Sequence, residues 1–141
     1  VLQNSVIVTL PLPENKKTHH ILNSTNIRRM KKGSSLINTA RGGLVETDAL
    51  AKALDSGYLA GAGLDVVEAE GLIKEERQLL SKNFSKQLLK PLLKNHVLLE
   101  RDNVIITPHS AFDSTEAVHR ILDTTLENIA FFRRGKVKNG V

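Results

Sequence analysis

Four short apolar runs, at residues 6–10, 35–39, 60–67 and 104–107, alternate with stretches that carry helix signals. This alternation narrows the possible folds more than any other feature of the chain. Val6 to Leu10 is nearly all apolar and is stopped by Pro11 and Pro13, which suits a strand buried on both faces, as in a parallel sheet. Ser35 to Thr39 is broken by Arg41-Gly42-Gly43. Ala60 to Val67 is rich in Gly and Ala, where a neighbour must approach closely, and Val104 to Thr107 ends at Pro108. Between the runs, Asn23 to Met30 reads as a short helix capped by Asn23 or Ser24 and stopped by Gly33. Asp48 to Leu54 reads as a second helix, with Gly57 just past its end. Asp113-Ser114-Thr115-Glu116 is a capping-box pattern that opens a helix running to about Arg134, with Gly135 beyond it. Residues 71–101 differ, being rich in Lys, Glu and Leu, and read as an insertion with helix inside 74–94, interrupted by Pro91. Repeated strand–helix alternation predicts an α/β fold: a parallel sheet of about four strands with helices on its faces.

The bulk numbers exclude several classes. A chain of 141 residues with 40% apolar content is long enough for one cored domain. No run approaches the ~18 apolar residues of a membrane helix, and no charged-then-apolar leader is present. Cysteine is absent, which is compatible with a cytoplasmic protein. The net charge of +5 raises the question of nucleic acid. The basic residues, however, fall in separate groups at Lys16–Lys17, Arg28 to Lys32 and Arg133 to Lys138. The last two groups lie at predicted helix ends, where cations complement the helix dipole. With four Phe, one Tyr and no Trp there is little aromatic surface for stacking bases. The basic groups are therefore read as solvated helix ends, and no nucleic-acid or membrane partner is expected. Val1 leads directly into a strand-like run, so the chain is expected to be part of a longer one.

In open parallel sheets ligands gather at the carboxyl ends of the strands. Those ends carry Thr9 to Pro11, Asn38 to Arg41, Asp65 to Glu70, and Thr107 to His109. They supply one guanidinium, which binds a carboxylate through two parallel hydrogen bonds, and one imidazole able to exchange a proton near neutrality. A carboxylate beside the imidazole would orient it. Such a set suits an anionic substrate with an adjacent hydroxyl or carbonyl. Each residue alone also has a plainer explanation. Arg41 fits a surface or cap-bonding arginine, Glu68 and Glu70 fit solvated loop charges, and a lone His109 fits a structural histidine. His19, His20, His96 and His119 lie in weaker contexts, and no metal-ligand spacing such as HExxH is present, so no metal site is expected.

Three stretches taken together go further. Met30 to Gly33 leading into Ile37-Asn38-Thr39-Ala40-Arg41-Gly42-Gly43-Leu44-Val45 resembles the signature of the D-isomer-specific 2-hydroxyacid dehydrogenases. Gly61 to Val66 followed by Glu70 resembles the family's next strand and its acidic catalytic residue. Thr107-Pro108-His109-Ser110-Ala111-Phe112 resembles its histidine motif. The resemblance implies that Arg41 holds the substrate carboxylate, that His109 is the general acid–base, and that Glu70 rather than Glu68 pairs with it. It implies that Thr9, Pro11, Thr39, Ala40 and Asp65 line an NAD cofactor, which supplies the hydride chemistry. Phe112 and the 71–101 insertion resemble the D-lactate dehydrogenase branch, with Phe112 walling a pocket for pyruvate or a related 2-keto acid. The loop at 13–18 is longer than the family pattern.

The resemblance also implies what is missing: the first βαβ unit with its G-x-G-x-x-G loop and the ribose-reading acid. On this reading residues 1–134 are the C-terminal half of the NAD-binding domain of a Rossmann-type doubly wound sheet. Residues 135–141 are a tail leading back toward a substrate domain, and the full-length enzyme is a homodimer. The 141-residue piece alone is expected to bind NAD poorly or not at all and to turn over no substrate. A non-enzymatic, dinucleotide-binding corepressor-like relative of the same family is the alternative, because such relatives keep both fold and triad.

Overall fold

A computed structural model describes residues 1–68, 70, 93 and 95–140. Four strands pair in sequence order, all parallel: β1 (Ile7–Thr9), β2 (Ser35–Asn38), β3 (Gly61–Leu64) and β4 (Val104–Ile106). This is the sheet the alternation predicts, and each strand falls inside its predicted run. Between β2 and β3 the chain crosses over through α1 (Thr47–Asp55). The helix signals placed in 74–94 concern residues that, Leu93 aside, lie outside the described ones, while residues 95–99 are helical.

Strand geometry sends successive side chains to opposite faces, and the in-order register lines them up in rows. Val8, Leu36, Ala62 and Val104 form one row, and Asn38, Leu64 and Ile106 the next, all on the inner face. Onto that face α1 packs Ala49, Leu50, Ala53 and Leu54, with Met30, Leu44, Leu59 and Leu98 completing a single cluster. The other face carries Ile7, Thr9, Ile37, Gly63 and Ile105. There the expectation of burial on both sides of the first strand fails. Ile7 is 64% exposed and Ile105 71% exposed, because α1 and the preceding turns all lie on the inner side.

The predicted helix at Asn23 to Met30 is only a 3-10 turn, Ile27–Arg29. Short polar side chains take over the local backbone: the Asn26 side chain accepts from the Asn23 amide and that of Asn23 accepts from the Thr25 amide. Such bonds compete with helical ones. Ile27 and Met30 are nevertheless buried and anchor the segment to the core.

Contacts divide the chain into two compact units, Val1–His109 and Ser110–Val141. The second is built on α2 (Thr115–Arg133), whose cap is Ser114 rather than Asp113: the Ser114 hydroxyl accepts from the Ala117 amide at 3.2 Å. Gly135 ends it with φ +67°. The following turn folds back on the helix through Lys138–Glu127 at 2.7 Å and Asn139–Asn128 at 3.1 Å. Within this unit no α2 residue is fully buried, and Ile121, Leu122, Leu126, Ile129 and Phe132 are exposed.

The inner-face cluster carries the stability of the first unit, so Leu50→Ala, at a residue 2% exposed, is expected to cost about 2–5 kcal/mol. Urea denaturation followed by circular dichroism checks it; a loss well under 1 kcal/mol would mean the helix does not seat on the sheet as described.

Candidate active site

The chemistry-bearing residues of the first unit sit where the strands run out. β2 ends at Asn38, which is 1% exposed and spends its side chain on the turn that follows. Its Nδ2 donates to the Arg41 carbonyl at 2.8 Å and its Oδ1 accepts from the Ala40 amide at 3.2 Å. This Asx-type turn sets the path of Thr39, Ala40 and Arg41. The Arg41 side chain is exposed, with Nη1 donating to the Ala40 carbonyl at 2.7 Å.

Gly42 explains why glycine follows. A Cβ there would stand 2.1 Å from the Val67 carbonyl carbon and oxygen and 2.6 Å from the Glu68 nitrogen. The turn that carries Arg41 thus lies backbone against backbone on the loop that follows β3. That loop carries Glu70, whose Oε1 is 2.6 Å from His109 Nδ1 just past β4. His109 has φ +56°, a left-handed conformation uncommon for a residue with a Cβ, and its amide donates to the Thr107 carbonyl at 3.0 Å. Strain of this kind collects at functional sites. Glu70 lines two cavities of about 310 Å³ each: one with Asp65, Asn95, Thr107, Pro108 and His109, the other with Glu14, His19, Arg41 and Glu68.

The remaining predicted residues divide. Asp65 is 4% exposed and accepts a short hydrogen bond from the Thr107 hydroxyl. Thr9, Pro11 and Thr39 are exposed at or just past the ends of β1 and β2, with Ala40 half-buried beside them. Phe112 belongs to the second unit and is 55% exposed. Among the described residues no three His, Asp or Glu side chains converge as a metal ligand set, and no helix is long and apolar enough to cross a membrane.

Two residues that looked like loop polarity are built into the site. Glu68 Oε2 accepts from both the backbone amide of Thr47, at 2.8 Å, and the Thr47 hydroxyl. Its Oε1 accepts from His20 Nε2 at 2.6 Å. Burial alone would raise the Glu68 carboxyl; the Thr47 hydroxyl, the Thr47 amide and His20 outweigh it and hold the group below the ordinary carboxylate range. His20 has φ +48° and stacks on His19 with ring centroids 4.0 Å apart, and His19 Nδ1 meets Glu14 Oε1 at 3.0 Å. Glu68 and His20 are 48 residues apart. The hints in the sequence are two acids near one strand end and a His-His pair before an apolar residue, and neither reveals the pairing.

Comparison with known proteins agrees with the motif reading. Residues 1–111 match the family model described as D-isomer specific 2-hydroxyacid dehydrogenase, NAD binding domain. A D-specific alpha-keto acid dehydrogenase of Enterococcus faecium is 42% identical over 95% of this chain and 39% of its own length. A glyoxylate reductase of Thermofilum pendens is 38% identical over 97% of the chain and 34% of its own. The crystal structure of D-lactate dehydrogenase from Aquifex aeolicus complexed with NAD and lactic acid superposes with a TM-score of 0.76 at 40% identity, over 95% of this chain and 39% of that one. The chain therefore spans well under half the length of these relatives.

The lowered Glu68 value has a consequence for stability. A carboxyl whose folded pKa lies below the unfolded value of about 4.3 adds stability above that pH and loses it as pH falls through the folded value. Glu68→Gln should therefore lower Tm at pH 6, and the gap from the parent should close on acidification toward pH 3. A gap that stays constant or widens on acidification would contradict the bonding described for Glu68.

Proposed function

Because this chain belongs to the D-isomer-specific 2-hydroxyacid dehydrogenases, as the match over residues 1–111 shows, we propose that it is the acid–base half of the active site of such an enzyme. The reaction proposed is reduction of pyruvate or a related small 2-keto acid to the D-2-hydroxy acid. The observation that carries this reading is the Glu70–His109 pair at 2.6 Å, with Glu70 also lining the cavity that contains Arg41. The named relatives act on keto acids, glyoxylate and lactate, and the preference for pyruvate rests on the D-lactate-like Phe112 motif and the 71–101 insertion. Residues 1–134 are proposed as the C-terminal half of the NAD-binding domain, in keeping with the share of the relatives' length that the chain spans.

The donor set fits an NAD cofactor at the strand ends. Asp65 offers a carboxylate acceptor suited to a carboxamide N–H₂, while Thr9, Pro11, Thr39 and Ala40 present short side chains and backbone at the ends of β1 and β2. When bound, NAD supplies the hydride donor or acceptor. The chain's own residues do the rest. Arg41 would turn from the Ala40 carbonyl to grip the substrate carboxylate with paired hydrogen bonds. His109 would give the keto oxygen its proton from Nε2, the ring nitrogen not engaged by Glu70, and take it back in the oxidative direction. Glu70, on Nδ1, would orient the ring for that exchange.

The test is NADH oxidation by the full-length protein with pyruvate, longer 2-keto acids, hydroxypyruvate and glyoxylate. Turnover of none of them would sink the proposal, and turnover of glyoxylate or hydroxypyruvate alone would sink the lactate-branch preference. With an active parent, Arg41→Gln should raise KM for the keto acid on the order of a hundred-fold through loss of a charge-assisted pair. His109→Gln should lower kcat by about 10²–10⁴-fold with little change in KM.

A further inference from the structure

The turn that carries Arg41 and the loop that carries Glu70 are joined by more than contact. His20 reaches both. Its amide donates to the Gly43 carbonyl at 2.7 Å, on the Arg41 turn, and its ring donates to Glu68 at 2.6 Å, on the Glu70 loop. Glu68 in turn ties that loop to the start of α1 through the Thr47 amide and hydroxyl. Its backbone carbonyl accepts from Asn95 Nδ2 at 2.7 Å, so the residue is held by main chain and side chain at once. Asn95 is 2% exposed. The left-handed backbone at His20 lets one residue turn its amide to one segment and its ring to the other. The Glu68 carboxylate thus ties its own segment after β3 to the 13–20 loop, through His20, and to the head of α1, through Thr47, while the Arg41 turn joins through the His20 amide.

We infer that His20 and Glu68 form a positioning clamp that sets the distance between Arg41 and the Glu70–His109 pair. The roles of Arg41 and His109 in this inference rest on the dehydrogenase reading above; the clamp itself rests on the hydrogen bonds. Neither His20 nor Glu68 needs to touch substrate. Their effect is on where the groups that do touch it stand, and a small displacement of reacting groups is enough to slow chemistry severely. The Gly42 approach explains why a clamp is needed at this point: two backbones meet there with no side chain between them to key their register.

The experiment uses the full-length protein labelled with ¹⁵N-histidine. A short ring N–H···carboxylate bond gives a far-downfield proton signal. Two such signals are expected, one absent in His109→Gln and the other in His20→Asn, a variant that tolerates the left-handed backbone but does not reach Glu68. In Glu68→Ala the His20 signal disappears directly. The clamp predicts that the His109 signal is also lost or displaced, although Glu70 and His109 are untouched. In an active parent, kcat/KM for the keto acid should fall on the order of ten- to a hundred-fold, and Glu68→Gln, which keeps an acceptor for Thr47, should recover most of it. An unchanged His109 signal in folded Glu68→Ala would overturn the clamp; should that variant not fold, an unchanged His109 signal in His20→Asn would do so. An inactive parent would defeat the dehydrogenase reading, whereas the His109 signal judges the clamp with or without turnover.

Discussion

Parallel pairing of four strands in chain order places every strand's carboxyl end on the same edge of the sheet. With that arrangement Arg41, Asp65, Glu70 and His109, scattered over almost seventy positions of sequence, need only short excursions from β2, β3 and β4 to line the two cavities that share Glu70. An antiparallel partner anywhere among the four would send one of these ends to the opposite edge. The register is held by backbone bonds and by the burial of the inner rows, Val8–Leu36–Ala62–Val104 and Asn38–Leu64–Ile106. A slip of one residue would turn those rows outward. The position of the site is thus fixed by the same apolar pattern that makes the core.

Fine placement comes from polar groups at the edge. Asn38 gives up its place in an otherwise apolar row to shape the turn at Arg41. Asp65, buried at the end of β3, is bonded by Thr107 from the next strand end. Glu68 is bonded by Thr47 at the head of α1 and by His20. Buried polar groups are costly unless paired, and here the pairings of Asp65 and Glu68 each join different elements. The polar edge therefore keys neighbouring strand ends to one another where the apolar core has thinned out.

Local patterns in the sequence account for much of this. The four strands, α1 and α2 follow from short apolar runs, helix-period spacing and Gly or Pro punctuation, all of which act within a few residues. The motifs around Arg41, Glu70 and His109 identified the family that the comparisons show. Structure and local pattern part where side chains compete or partners are distant. Asn23 and Asn26 divert a helix-like segment into turns, Ser114 displaces Asp113 as the cap, and Ile7 lacks the second cover that its apolar neighbours imply. The His20–Glu68 bond was invisible for a different reason. It depends on a loop folding over the Arg41 turn, and no spacing rule links residues 48 apart.

In the function proposed, the Arg41 guanidinium after β2 would take the substrate carboxylate, and the His109 imidazole after β4, held by Glu70 from the segment after β3, the adjacent oxygen. A crystal structure of the full-length protein with NADH and oxamate, a 2-keto acid mimic that is not reduced, tests it most directly. The account predicts the oxamate carboxylate paired with the Arg41 guanidinium and its keto-like oxygen within hydrogen-bond reach of His109 Nε2, with Glu70 still on Nδ1. Oxamate bound away from Arg41, or a His109 ring released from Glu70 in that complex, would contradict it.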